Sequence, residues 1–215
     1  MPSLFTLTLA SRFNVSKPAV VTVSTSATAS DFQAGGGAWT LLQAQAASTS
    51  STISFTSTYI TSTYDVYVVI MTDLVKSADG GDIFAELSID NGSNFLTTYR
   101  YMYWADQDGR GDDITQFEGG SSTSSGKIDV FGNIESPGNV SPEIMCGEMI
   151  LHNPNSARGK LVTVNGIMIN GSGELTIQKS LYSNVSTSAV NNIKFTPNSG
   201  TITSGSFTLY GLAKS

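Results

Sequence analysis

The sequence predicts an all-β chain that folds as one antiparallel β-sandwich. Apolar and polar residues alternate with a period of two in segment after segment, as they do in strands with one buried face. These segments are rich in β-branched and aromatic residues and end at Gly, Asn, Asp, Ser or Pro, which favours strands separated by turns. No window of about a dozen residues follows the helical period of 3.6. A length of 215 residues suits a single sandwich core.

Thirteen segments show this pattern and are predicted strands. They lie at residues 4–9, 20–24, 39–43, 52–57, 64–71, 83–89, 95–104, 127–132, 143–152, 160–169, 174–179, 192–196 and 206–213. In the last segment, Phe207 and Leu209 share one side, which is predicted to be core. Tyr210 points to the other side, so a second packed surface is expected there.

The first 37 residues differ from the rest, because a triple glycine at 35–37 separates two short strands from the remaining chain. We therefore expect residues 1–37 to form an extended N-terminal arm with a flexible joint, and residues 38–215 to form the sandwich. An alternating segment that cannot bury itself alone is suited to adding a strand to another protein. The alternative is that the arm completes the sandwich. The residues expected to dock the arm are Leu4, Phe5, Leu7, Leu9 and Phe13.

An Asn91-Gly92 pair lies between two predicted strands, 83–89 and 95–104. This pair supplies the left-handed backbone that a tight turn needs. The sequence therefore predicts that these two strands form a hairpin.

The second strand of that hairpin has large apolar groups on both faces. Tyr99, Tyr101 and Tyr103 share one face, and Met102 and Trp104 share the other. One face can fill the core, so the other is expected to be covered by a neighbouring subunit or by the arm. The pattern therefore favours a homo-oligomer.

Residues 105–126, "ADQDGRGDDITQFEGGSSTSSG", form the longest polar stretch and are predicted to be a surface loop. Part of this stretch resembles a Ca²⁺-binding loop, but a full ligand set is missing. A solvated acidic loop is therefore preferred, and no metal site is assigned. Trp104 beside it is predicted to present a ring that suits a sugar face. The candidate receptor-contact residues are Trp104, Asp106, Asp108, Arg110 and Asp112.

Composition argues against nucleic-acid binding and catalysis. Charged residues make up 13% of the chain, the net charge is −6, and the 11 basic residues are spread out, so a phosphate-binding surface is not expected. Cys146 and His152 are the only residues of their types, and no nucleophile motif surrounds them. We expect no enzyme activity, no cofactor and no intrachain disulfide. Neither a signal peptide nor membrane insertion is expected, since no suitable apolar run occurs.

Several motifs occur in a fixed order between residues 39 and 213. They are "YDVY" at 64–67, "DGG" at 79–81, "SIDNGSNF" at 88–95, "GEMILHNP" at 147–154 and "VNNIKFTPNSGTITSGSFTLYGL" at 190–212. In this order they resemble a group of small structural proteins of tailed bacteriophages. The resemblance implies a jelly-roll-like sandwich, a homotrimer and a place in the virion as tail fibre, tail-associated protein or head decoration. It implies no catalytic residues, and residues 1–37 fall outside it.

The resemblance and the composition together favour a non-enzymatic protein on the exterior of a phage particle. The first interpretation is a tail fibre or receptor-binding appendage, which is docked through its arm and meets the host surface, or a host glycan, with its loop end. The alternative is a capsid decoration protein that clamps shell subunits. A glycan-active enzyme is a third interpretation, which no catalytic set supports. The expected partners are other virion proteins, and the expected location is the virion after synthesis in the bacterial cytoplasm.

Overall fold

The structure is a computed structural model that describes residues 39–108, 114–124, 126–132, 139–171 and 173–213. Side chains are not described at residues 106–108, 114–121, 124 and 213. The described residues contain no helix, and their twelve strands form two antiparallel sheets. The predicted all-β sandwich is therefore confirmed. Its jelly-roll connectivity stays a prediction, and the predicted arm, residues 1–37, lies outside the described residues.

The strands fall on the predicted segments, with one addition. They are β1 (Trp39–Ala46), β2 (Ile53–Phe55), β3 (Tyr64–Lys76), β4 (Ile83–Ser88), β5 (Tyr99–Asp108), β6 (Ile114–Ser124), β7 (Ile128–Phe131), β8 (Ile144–His152), β9 (Lys160–Ile169), β10 (Leu175–Asn184), β11 (Asn192–Pro197) and β12 (Ile202–Ala213). The prediction of a surface loop over residues 105–126 is wrong, because most of that stretch is the end of β5 and the whole of β6. Its Gly and Ser residues have low strand propensity, and pairing along β5 holds them in a strand.

The larger sheet has eight strands in the order β1-β12-β3-β8-β9-β10-β5-β6, and the smaller has four in the order β2-β11-β4-β7. All of these neighbours pair antiparallel. Val68 lies opposite Ile150, and Ile150 lies opposite Thr163. Because residues directly opposite each other share a face, this register determines which side chains lie on each side of the sheet.

The core lies between the two sheets and is filled by alternate residues of both. Val69, Met149 and Val164 of the larger sheet are 0% exposed. Phe207 on β12 reaches the smaller sheet, where its ring centroid lies 5.0 Å from that of Phe195 on β11. Aromatic pairs at this distance add to the stabilisation from the apolar area that they bury. The two sheets are therefore held together by direct ring contact.

A pair of glycines makes room for an aromatic ring of the opposite sheet. Gly147 and Gly166 lie opposite each other on β8 and β9, and the ring of Phe131 from β7 lies against both. A Cβ atom at Gly166 would lie 3.0 Å from this ring, and one at Gly147 would lie 2.5 Å from the backbone oxygen of Asn165. A side chain at either position therefore requires local movement of the sheet or of the ring.

Replacing Gly147 with alanine should destabilise the protein by about 1–3 kcal/mol, the usual cost of overpacking a core. The clash is with a backbone carbonyl, which has no rotamer to change, so the strand itself must shift. Thermal unfolding of Gly147→Ala measures the effect, and Gly171→Ala at an exposed turn is the control. Equal melting temperatures for the two variants would contradict the close approach of β8 and β9.

The predicted hairpin between residues 83–89 and 95–104 is wrong, although its turn is present. Asn91 and Gly92 adopt left-handed backbone, with φ of 58° and 90°. The strands on either side belong to different sheets, since β4 pairs with β11 and β7 while β5 pairs with β10 and β6. Turn chemistry fixes the local reversal, whereas packing of the whole sheet sets each strand's partner. The turn therefore carries the chain from the smaller sheet to the larger.

The carboxylate of Asp90 holds this turn. It accepts hydrogen bonds from the side-chain and backbone N–H groups of Asn94, at 2.7 Å and 2.8 Å, and from Ser88 Oγ at 2.7 Å. These hydrogen bonds, chiefly those from Asn94, lower the pKa of Asp90 to about 2. The "SIDNGSNF" motif therefore forms a charged, internally bonded turn.

Candidate functional site

The candidate functional surface is the side of the larger sheet that faces away from the core. Its strands alternate between buried and outward residues. On β9, for example, Val162 and Val164 are buried, while Leu161 and Ile167 are 56% and 49% exposed. The register aligns the outward residues of successive strands into rows that cross the sheet.

Four such rows define what we call the outer face. The first row is Trp39, Leu212, Val66, His152, Leu161, Ser183 and Arg100, and the second is Leu41, Tyr210, Val68, Ile150, Thr163, Leu181 and Met102. The third row is Thr208, Ile70, Glu148, Asn165, Lys179 and Trp104, and the fourth is Cys146, Ile167 and Ile177. The second and fourth rows are almost entirely apolar, and the third row between them is mainly polar, with Thr208, Glu148, Asn165 and Lys179.

Three polar groups of the third row are bound to their own neighbours. Glu148 Oε1 accepts a hydrogen bond from Asn165 Nδ2 at 2.7 Å. Lys179 Nζ lies 5.4 Å from the centroid of the Trp104 ring, which is a cation–π distance. In the first row, His152 Nε2 lies 3.2 Å from Thr163 Oγ1. These groups satisfy one another in pairs and do not converge on a common point where a substrate could react.

Three open grooves follow the outer face. The largest, of about 800 Å³, runs past Met102 and Leu161, and the second, of about 540 Å³, runs past Trp104 and Ile167. The third, of about 330 Å³, is bounded by Trp39 and several apolar neighbours. Enclosed ligand cavities bury most of the ligand's surface, whereas these grooves open side by side on one sheet. Their arrangement suits contact with a macromolecule.

Trp104 lies on the outer face and is 37% exposed. The prediction that it ends its strand is wrong, because β5 continues to Asp108 and Trp104 lies in the middle of the strand. The backbone of Asp106 and Asp108 belongs to β5, but their side chains are not described. The other predicted contact residues, Arg110 and Asp112, lie outside the described residues.

The three tyrosines of β5 point to the inner side of the sheet. Tyr99 is 1% exposed, and burial raises its pKa. The ring of Tyr101 stacks on that of Tyr103 at 6.2 Å and on that of Tyr182 at 5.6 Å. These tyrosines therefore pack within the protomer, and the outer side of β5 presents Met102 and Trp104.

The closing strand, β12, contributes to both sides of the sheet. Phe207 and Leu209 are 0% exposed in the core. Tyr210 lies on the outer face, in the same groove as Trp39.

The residues predicted to dock the arm lie outside the described residues: Leu4, Phe5, Leu7, Leu9 and Phe13.

Several residues of the outer face were not singled out from the sequence. Leu161, Ile167 and Ile177 are each about half exposed, at 56%, 49% and 49%. For Leu161 and Ile167 the signal is present in "KLVTVNGIMI", where apolar residues occupy both alternating sets of positions, whereas in "ELTIQK" the apolar residues occupy only the set that contains Ile177. A strand that is apolar on both sides has two covered faces, so the pattern of β9 indicates a second covered surface, as the patterns of β5 and β12 do.

A separate group of buried charges lies away from the outer face. Burial has the largest effect on the pKa of Asp129 on β7, and together with the negative charge of Asp82 it raises this pKa to about 8. Burial also lowers the pKa of Lys76, whose ammonium donates hydrogen bonds to the carbonyls of Gly80 and Gly81. Neither carboxyl lines any of the three grooves, so this group affects stability rather than the surface.

Comparisons of the chain with protein-family models, curated proteins and solved structures find no match. Within the described residues, no cluster of three or more His, Cys, Asp or Glu side chains could hold a metal ion. The same residues include no helix of a length and hydrophobicity that would cross a bilayer.

Proposed function

We propose that the chain is a non-catalytic structural protein on the exterior of a tailed-bacteriophage particle. The observation that carries the proposal is the outer face, whose rows cross seven strands and are mostly apolar. Monomeric proteins rarely expose apolar surface of this extent, and large patches mark contacts with other macromolecules. Glu148, Lys179 and His152 each pair with a neighbour on the face, which supports binding rather than chemistry.

The positions of the phage-like motifs support the same proposal. "YDVY", most of "GEMILHNP" and the second half of the 190–212 motif lie on β3, β8 and β12, which are neighbours in the order β12-β3-β8. The hydroxyl of Tyr67 donates to the carbonyl of Thr61 at 2.7 Å and accepts from its N–H at 2.8 Å. These motif residues build the middle of the larger sheet and its connections. Proteins with different functions can be built on the same fold. Virion proteins with different roles would therefore share the residues that specify that fold.

Within the virion, the proposed position is a tail fibre or receptor-binding appendage. The arm, residues 1–37, would dock it to other virion proteins, and the chain would assemble as a homotrimer. The segment from Asp106 to Asp112 would meet the host surface or a host glycan. The first three residues of this segment, 106–108, are the end of β5, which pairs with the edge strand β6 of the larger sheet.

Counting copies per particle tests this proposal. Quantitative mass spectrometry of purified particles of the encoding phage should find a few dozen copies or fewer, as expected for a tail component. Hundreds of copies would instead support a decoration protein on the head. Absence from the particle would overturn the proposal, and so would shortening of a host polysaccharide by the purified protein.

A further inference from the structure

We infer that copies of this chain cover the outer face, so that the rows of one protomer pack against another protomer. This inference deepens the proposed structural role, on which it rests, by naming the partner of the face. Three properties of the face support a second copy as its occupant: its area, its side-chain chemistry and its balance of charges.

The area is large enough for a stable interface. Seven strands carry the four rows, and at a spacing of about 4.8 Å they span about 34 Å. β8 and β9 have 9 and 10 residues, which corresponds to a length of about 30 Å. The 23 residues of the four rows, each occupying about 4.8 × 6.8 Å of the sheet, therefore cover about 750 Å² of it, close to the roughly 800 Å² that a standard interface buries on each partner.

The chemistry of the face is that of a protein interface. Its exposed side chains are mainly aliphatic, with Leu41, Leu161 and Ile177 exposed by 58%, 56% and 49%. A sugar-binding surface would need aromatic platforms with free hydrogen-bonding groups around them. Here Trp104 is paired with Lys179. The aliphatic rows favour a protein partner with a similarly apolar surface.

The charges of the face favour a copy of the same face. Its described charged side chains are one carboxylate, Glu148, and two cations, Lys179 and Arg100. A strongly acidic or basic partner would leave one sign unmatched inside the contact. A second copy brings both signs, so Glu148 of one copy can lie against Lys179 or Arg100 of the next copy. The face is therefore complementary to itself.

The test compares the full-length chain with variants that place a charge on the face. Ile167→Lys/Ile177→Lys alters the fourth row, and Leu161→Lys alters the first. Matched controls are Val140→Lys and Val185→Lys, because both valines are exposed, at 61% and 85%, and neither belongs to the outer face. Light scattering during size-exclusion chromatography gives the molar mass of each protein.

We expect the wild type and both controls to assemble as trimers of 3 × 22.7 = 68.1 kDa. We expect the face variants to run as 22.7 kDa monomers, because buried lysines should raise the dissociation constant by about 100-fold or more. Circular dichroism and thermal melts establish that each variant is folded. Because Leu161, Ile167 and Ile177 are about half exposed in the protomer, lysine side chains at these positions can remain in water when the protomer is alone. If the double variant Ile167→Lys/Ile177→Lys does not fold, the single variant Leu161→Lys tests the inference in its place.

Three outcomes would count against the inference or part of it. A wild-type monomer at concentrations up to about 100 µM, where a micromolar association would be essentially complete, overturns it. Face variants that assemble as well as the controls also overturn it, because the copies would then meet through another surface. A dimer that the face variants break supports the covered face and refutes the threefold arrangement.

The proposed function can fail separately. A chain that assembles through the outer face but is absent from particles would refute only the virion role. A chain that is present in particles but monomeric, with an open face, would refute only the inference about copies. An assembly that forms only when another virion protein is added would assign the face to that protein.

Discussion

Replacing Phe207 with alanine should lower the free energy of unfolding by about 3–5 kcal/mol, the range for truncating a buried phenylalanine. Phe207 is 0% exposed and packs at 5.0 Å from Phe195 of the opposite sheet. Phe195 in turn contacts Phe55 at 6.4 Å, so the truncation leaves a cavity where the two sheets meet. Its neighbours are rings held in place by both sheets, which limits their collapse into the space.

Urea unfolding at a fixed protein concentration measures this effect, since association would shift the apparent stability. Thr203→Ala on the same strand is the matched control, because Thr203 is exposed and surface substitutions usually change stability by less than about 0.5 kcal/mol. Similar midpoints for the two variants would contradict the packing of β12 against β11.

Replacing Asp129 with asparagine should stabilise the protein at alkaline pH and have little effect at pH 4. Burial has the largest effect on the pKa of Asp129, and the charge of Asp82 adds to it. Together they raise this pKa to about 8. Its Oδ1 atom is buried and has no hydrogen-bond partner within the described residues. The charged form is therefore costly in the folded state.

Whether stability rises or falls with pH follows from the direction of the pKa change of Asp129. A raised pKa means that the folded protein holds a proton that the unfolded chain has released between about pH 4 and pH 8. Stability from this group is greatest below pH 4 and is lost as the pH rises through about 8. The benefit of Asp129→Asn should grow over this window to a few kcal/mol, since each pKa unit is worth about 1.4 kcal/mol.

Thermal unfolding from pH 4 to pH 9 tests this prediction, with Asp90→Asn as a control of opposite sign. Hydrogen bonds from Asn94 and Ser88 lower the pKa of Asp90 to about 2, so its contribution is present near neutral pH and lost on acidification. If Asp129→Asn tracked the wild type at every pH, the buried carboxyl would not be protonated in the folded protein. The nearby charges, Asp82 and Lys76, are unchanged in both variants.

The sequence alone was enough to predict most strands but not the sheet to which each belongs. Alternation located β9 and β12 closely, because a half-buried strand imposes a period of two on its own residues. The turn at Asn91-Gly92 was also predictable, since it depends on local backbone preference. The partners of β4 and β5 were not, because pairing between strands is decided by packing across the whole sandwich.

The sequence pattern also does not predict β6, because this strand depends on pairing with its neighbour. Its sequence, "ITQFEGGSSTS", contains two glycines and three serines, which would be typical of a loop. Its strand conformation depends on the ladder with β5, and an edge strand can be polar because only one side of its backbone is paired. No local pattern in those residues predicts that pairing.

The outer face was only partly predictable. The apolar residues on both sides of β5, and the outward position of Tyr210, indicated a second covered surface. The rows themselves depend on register, which aligns Tyr210 with Val68, Ile150 and residues of four further strands. A single sequence shows which residues share a side of one strand. It does not show that seven neighbouring strands present their apolar sides on one continuous surface.

The thiol of Cys146 offers the sharpest measurement of whether the outer face is covered. It is the only cysteine of the chain, it is half-buried in the protomer, and it lies opposite Ile167 in the fourth row. Its reaction with a small maleimide can be timed in the wild type and in Leu161→Lys, whose substitution is in the first row. If copies cover the face, the wild-type thiol should react much more slowly than the thiol of the variant. Equal rates in two folded proteins would show that the outer face is open to water.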